Sequence, residues 1–171
     1  MPSPKLVSPK DMYALAVFCI LEGHGNLSNT PEQLKVAAVI VNRCNSANWT
    51  KEFGHGFLSQ MFARGQFEVQ TRFKLDLHDF DSYEKAAKAL SEAKPGISLQ
   101  WAREHIIVFA RAAADPKQWG AAAQAIGDST GFRGRKGTNV FRKESKYDSP
   151  GLAGKQPSCL LVRWGNERPL F

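Results

Sequence analysis

Glu22 stands at the end of an apolar run, and that placement gives a carboxyl the means to hand on a proton. It lies three residues after Cys19 and seven after Leu15, so on a helix it returns to the Leu15 face. A carboxyl emerging from an apolar stripe is partly desolvated, and desolvation raises its pKa. A general acid working near neutral pH needs that rise, because it must still hold a proton to give to a leaving oxygen. Gly23 and Gly25 flank the position and leave room for a polymer to approach the backbone. Taken alone, the same pattern also fits a solvated charge at a helix end.

Other residues could serve such a carboxyl. Gln66 offers an amide that can both donate and accept hydrogen bonds, and Phe67 a ring that can stack on a ligand or take a place in the core. Glu68 and Asp128 are candidate second carboxylates if water attacks directly, and otherwise surface charges. Asn42 and Arg43 close a helical pattern where they could reach a ligand, but an arginine near a helix C-terminus also favours the dipole, and structure is put ahead of function there. His24, His55, His78 and His105 lack the spacing of a zinc site; His105 falls on an apolar helical face and reads as a satisfied core residue. Cys19, Cys44 and Cys159 are odd in number and without CxxC spacing, which argues against a metal site or a disulfide framework. The apolar settings of the first two argue against nucleophiles, and buried free thiols suit a reducing cytoplasm. The chain carries no Gly-x-Ser-x-Gly, P-loop or dinucleotide motif. No cofactor and no metal are expected.

The elements that must position these residues are mostly helical. Ser8, Pro9 and Asp11 open a first helix that runs to residue 21 or 22, with Met12, Leu15, Ala16 and Cys19 on its buried face. Thr30 caps a second helix, with Pro31 in the first turn and Gln33 completing a capping box; it continues through Leu34, Ala37, Val41 and Cys44. Gly54 and Gly56 break the next stretch, and 57–62 is a short helix before a turn at Gly65. Residues 66–80 read as loop with a short strand. Ser82 caps a helix to about residue 93, and Ser98 caps another over 99–114, with Trp101, His105, Val108, Phe109 and Ala112 as its stripe. Helix over 119–126, loop over 127–137, a strand at 139–141 and another at 160–164 complete the reading. The fold class expected is mainly α with a small β component, as one domain over 9–171 after a flexible lead, 1–8.

The length of 171 residues suits one domain with a sizeable core, and 43% hydrophobic content is ordinary for a folded chain. The net charge of +7 favours an anionic partner, whether nucleic acid, a membrane surface or an acidic wall polymer. Its densest group is Arg133, Arg135, Lys136, Arg142, Lys143 and Lys146, without an uninterrupted basic run. The charge then gives nucleic acid only a salt-dependent, non-specific attraction. The apolar stretch from 12 to 21 is too short to span a bilayer.

Three segments around Glu22 resemble one family. Leu21-Glu22-Gly23-His24-Gly25, then the helix 33–43 ending Val39-Ile40-Val41-Asn42-Arg43, then Gly65-Gln66-Phe67-Glu68-Val69 occur in order. This is similar to the cell-wall hydrolases that include the spore-cortex-lytic enzymes, and Gly137-Thr138-Asn139-Val140-Phe141 resembles a further segment of theirs. Together the matches span roughly residues 10–142. The resemblance implies a lysozyme-like fold that cuts peptidoglycan between N-acetylmuramic acid and N-acetylglucosamine, as a lytic transglycosylase with Glu22 as acid and then base. The substrate's own 6-hydroxyl is then the nucleophile, so one carboxyl suffices. It also places Gln66, Phe67, His24 and Asn139 toward substrate, the Gln66 amide for an acetamido group and the Phe67 ring for a sugar face. His24 stands where the family has arginine, and Asn26 where it has a second acidic residue, so the resemblance carries over the catalytic acid but not product type or substrate preference. The segment after Lys143 matches nothing in the family. The lead shows no long apolar core or small-residue cleavage site, so no secretory signal is expected. A wall target then points to a phage-type lytic enzyme, released or carried in the virion, or to an injected effector. A monomer is expected. The rival reading is a basic module that binds nucleic acid or cell wall without chemistry.

Overall fold

Ser8 accepts the Asp11 N–H in its side chain and starts α1 (Pro9–Glu22). In this computed structural model residues 7–23, 27–135 and 138–142 are described. Every residue from Met12 to Leu21 is buried, so α1 is not a one-sided stripe but a helix apolar all round, which must lie inside the molecule. It is packed by α2 (Thr30–Asn45), α4 (Phe57–Met61), α5 (Glu68–Arg72), α6 (Tyr83–Ala93) and α7 (Leu99–Ala114). α3 (Ala47–Phe53) leans on α2 and α4, and α8 (Pro116–Ile126) lies along α2. An antiparallel hairpin, β1 (Gly131–Arg135) with β2 (Thr138–Arg142), sets Phe132 opposite Phe141 and Gly134 opposite Asn139. The described residues are thus mainly α with a small β component.

Apart from α4 and α5, which have no side-chain cap, the helices begin where side-chain oxygens can satisfy free N–H groups. Ser82 and Ser98 cap α6 and α7 as expected, accepting from Lys85 and Trp101. At α2 the cap is Asn29 rather than Thr30: its Oδ1 accepts the Glu32 N–H at 3.3 Å. Gln33 makes no capping box, since it is buried and its Nε2 donates to Leu27 O at 2.7 Å. Ser46, which caps α3, and Asp115, which caps α8, complete the set.

Other expectations change as well. Residues 66–80 hold no strand; they form α5 and a 3-10 turn, Leu77–Phe80, because Phe67, Val69, Leu75 and Phe80 are drawn into the core at irregular spacing. The expected loop over 127–137 contains β1, whose Gly and Arg residues have little strand preference of their own and are held by pairing to β2. On α7, Val108 is 46% exposed, and the buried face is Ala102, Ile106, Phe109, Ala110, Ala112 and Ala113. The small residues let α7 lie close to its neighbours. Val7, expected in the flexible lead, is 3% exposed and belongs to the core. The strand expected at 160–164, Cys159, Lys136, Lys143 and Lys146 fall outside the described residues.

His105 is half-buried rather than core. Its ring stacks on Trp101 at 3.6 Å, its Nδ1 is 2.9 Å from Trp101 O, and its Nε2 is 3.4 Å from Ser28 Oγ. Cys19 is buried and Cys44 only partly so. Among the described residues no helix is long and apolar enough to cross a membrane.

Candidate active site

Glu22 closes α1, and the chain must turn at once behind it. Gly23 allows that turn, since a Cβ there would meet Gln33 Cγ at 2.9 Å. The glutamate is half-buried. Its Oε1 accepts the Val69 N–H, at 3.3 Å, from the first turn of α5. Burial, the largest influence, pushes its pKa above the ordinary carboxyl value; the Val69 hydrogen bond opposes this, Glu68 adds to it, and Arg43 and Arg72 oppose it. With Oε1 accepting an N–H, the proton of the neutral form belongs on Oε2. Among the described residues Oε2 has no hydrogen-bond partner and is not sealed from solvent.

Glu22 also leaves its mark on the thiol one turn back. Burial, with the Glu22 charge adding, pushes the Cys19 thiol well above the usual thiol range. Cys19 is therefore a protonated core residue and no nucleophile.

Arg43 is the buried cation of the site, 4% exposed. Its guanidinium lies 4.1 Å from the Trp49 ring centroid and 5.0 Å from that of Phe67. Nε donates to Thr130 O at 2.6 Å, where β1 begins, and Nη1 to Gln66 Oε1 at 3.4 Å. One side chain thus joins α2, the 66–67 segment and the hairpin. Asn42 does the same for the chain leading into β1, donating to Gly127 O at 3.0 Å and Ser129 O at 2.8 Å. Both side chains thus tie α2 to the chain around β1.

Of the residues expected to meet substrate, Gln66 is half-buried beside Arg43 and stays available. Phe67 is 3% exposed, with Phe18 at 6.1 Å and Phe132 at 6.2 Å between ring centroids. That burial decides for its core role, and no face is left to stack on a sugar. Asn139 is 9% exposed and its Nδ2 donates to Glu22 O at 3.3 Å. It ties the hairpin to the end of α1 instead of reaching outward. His24 lies outside the described residues.

Comparison with protein-family models, with curated proteins and with solved structures matched none of them. What the site can do therefore rests on its own chemistry and on the sequence motifs.

Glu68 is exposed, yet its charge acts on Glu22. Asp128 is not among the charges that most affect Glu22. Among the described residues no group of three His, Cys, Asp or Glu could hold a metal. The sequence reading missed Val69 N–H and Arg72. The first is a backbone group with no sequence signal. The second stands four residues after Glu68 in the same short helix, a spacing that could have pointed to it.

The opposing charges give a direct test of this electrostatic account. Glu68→Gln removes a negative neighbour and is expected to lower the Glu22 pKa, whereas Arg72→Gln removes a positive one and raises it. NMR titration of the Glu22 side-chain carboxyl carbon reads both. Shifts of the same sign in the two variants would contradict the assignment.

Proposed function

We propose that this protein cleaves the glycan strands of peptidoglycan between N-acetylmuramic acid and N-acetylglucosamine, as a lytic transglycosylase using Glu22. The observation that carries the reading is a half-buried carboxyl, raised in pKa, with one oxygen fixed by Val69 N–H and the other unpartnered among the described residues. The order of motifs about Glu22 supplies the substrate class.

In the reaction Glu22 Oε2 gives its proton to the glycosidic oxygen as the bond from that oxygen to the muramic anomeric carbon breaks. Positive charge develops on that carbon, and the Glu22 carboxylate now faces it. The carboxylate then takes the proton of the muramic 6-hydroxyl as its oxygen bonds to the anomeric carbon. Glu22 ends protonated, and the product carries a 1,6-anhydro end. The raised pKa favours the first step, and the Val69 hydrogen bond with the Arg43 charge sustains the carboxylate in the second.

Digestion of purified sacculi, with mass spectrometry of the products, tests this. Soluble disaccharide units ending in anhydro-muramic acid are expected. Reducing ends would mean that water attacks, and would turn attention to Glu68 as its base. New peptide termini alone would make the protein an amidase or peptidase. Binding to sacculi without solubilisation would leave a wall-binding module in which Glu22 does no chemistry.

A further inference from the structure

We propose that Arg43 locks the Gln66 side-chain amide with its NH2 group toward the substrate, so that the site takes acetamido sugars and discriminates against their de-N-acetylated counterparts. The inference deepens the glycan-cleaving reading and rests on it. A guanidinium has donors and no acceptor, so it can meet only the oxygen of the Gln66 amide. That contact is Arg43 Nη1 to Gln66 Oε1 at 3.4 Å.

The guanidinium cannot turn aside to suit a different amide orientation. It is held between the Trp49 and Phe67 rings and bound through Nε to Thr130 O. The glutamine is held from the other end as well. Gly65, at φ 76°, makes the turn before it; Gln66 N–H donates to Ala63 O at 3.1 Å; and the next residue is the buried Phe67. Among the described residues the Gln66 amide nitrogen donates to nothing, and the side chain is only half-buried. What it offers an incoming ligand is therefore a pair of donors. An acetamido carbonyl accepts from them. The free amine of a de-N-acetylated sugar, protonated near neutral pH, brings donors against donors. Arg43 is thus a positioning residue and Gln66 a specificity-determining one.

Arg43 itself is a poor place to test this, because its loss would disturb the fold. Gln66→Glu keeps the size of the side chain and strengthens its contact to Arg43, since the acceptor becomes charged, but it turns a carboxylate oxygen outward. Gln66→Met keeps the bulk and offers neither donor nor acceptor. Cleavage of sacculi and of chemically de-N-acetylated sacculi would be compared for each variant. Binding of tetra-N-acetylchitotetraose and of its fully de-N-acetylated form, measured by calorimetry in a Glu22→Gln background, reads the same preference without turnover.

The intact Gln66 protein is expected to favour the acetylated ligand roughly tenfold or more, the scale of an unsatisfied polar contact. Gln66→Glu should reverse the preference, through KM rather than kcat, and Gln66→Met should abolish it without reversal. An unchanged preference, or an equal loss on both ligands, would overturn the proposal while leaving strand cleavage intact. If the intact protein neither cleaves nor binds either glycan, the reading beneath it fails and takes the proposal with it.

Discussion

Glu22→Gln is expected to lower kcat/KM on peptidoglycan by about 10²–10⁴-fold, the usual contribution of a positioned general acid. Glutamine keeps the size of the side chain and can still accept the Val69 N–H through its oxygen, but it has no proton to transfer. The fold should survive, and stability near neutral pH should rise. Burial raises the Glu22 pKa, so between the unfolded-state pKa and the higher folded one the native chain holds a proton that the unfolded chain has lost. Wild-type stability therefore falls as pH rises through that window and stays lower above it. The glutamine variant carries no such cost. Its melting temperature relative to wild type should climb across the window, level off above it, and show no carboxyl advantage in acid, where both side chains are neutral. Glu68→Gln and Asp128→Asn should each cost far less activity. Near wild-type turnover in Glu22→Gln together with a dead Asp128→Asn would mean that the acid has been misplaced. The basic limb of the kcat/KM profile should lie above the range of a solvated carboxyl and report Glu22 losing its proton; a limb unchanged in residual Glu22→Gln activity belongs to another group.

The helices were legible where a single side chain decides the start. Ser8, Ser82 and Ser98 each sit one residue before a helix and accept an N–H three residues on, a local interaction that needs no knowledge of the rest of the fold. Asn29 against Thr30 shows the limit, since adjacent residues can both cap and packing chose the first. Residues whose roles come from distant partners were not legible. β1 exists because Gly131 to Arg135 pair with Thr138 to Arg142, and α5 lies in a segment whose aromatics have no helical period. The position of Glu22 at the end of an apolar helix was readable from spacing. Its second wall was not, because Val69 offers a backbone N–H from 47 residues away. Phe67 and Asn139 read from the motifs as substrate contacts, and both lie buried beside the elements that carry Glu22 and Arg43. Burial turns both inward, to support the site from behind. Gln66, between a glycine turn and a buried ring, keeps a half-exposed side chain.

Phe18→Ala is expected to destabilise the protein by about 3–5 kcal/mol, the range for emptying a buried aromatic site. Phe18 is fully buried and lies one turn before Glu22 on the same face of α1. Its ring centroid is 5.2 Å from that of Phe62 and 6.1 Å from those of Phe67 and Phe80. Phe62 and Phe80 also meet each other at 6.1 Å. These three rings come from the chain just beyond α4, the segment before α5 and the 3-10 turn, so one side chain gathers three segments against α1. Phe18→Leu retains most of the volume and should cost under about 1.5 kcal/mol. Urea denaturation should show the midpoint falling in that order, with the slope unchanged if both variants unfold as wild type does. The site should respond too. Phe67 packs directly on Phe18, and Val69 lies two residues beyond it, so relaxation into the cavity draws the Val69 N–H away from Glu22. That hydrogen bond favours the carboxylate, and weakening it should raise the Glu22 pKa further and move the basic limb of the activity profile upward. A stability loss below about 1 kcal/mol, well short of the core-aromatic range, would show that the rings are not packed around Phe18. A full loss of stability with an unmoved basic limb would separate the aromatic cluster from the position of Val69.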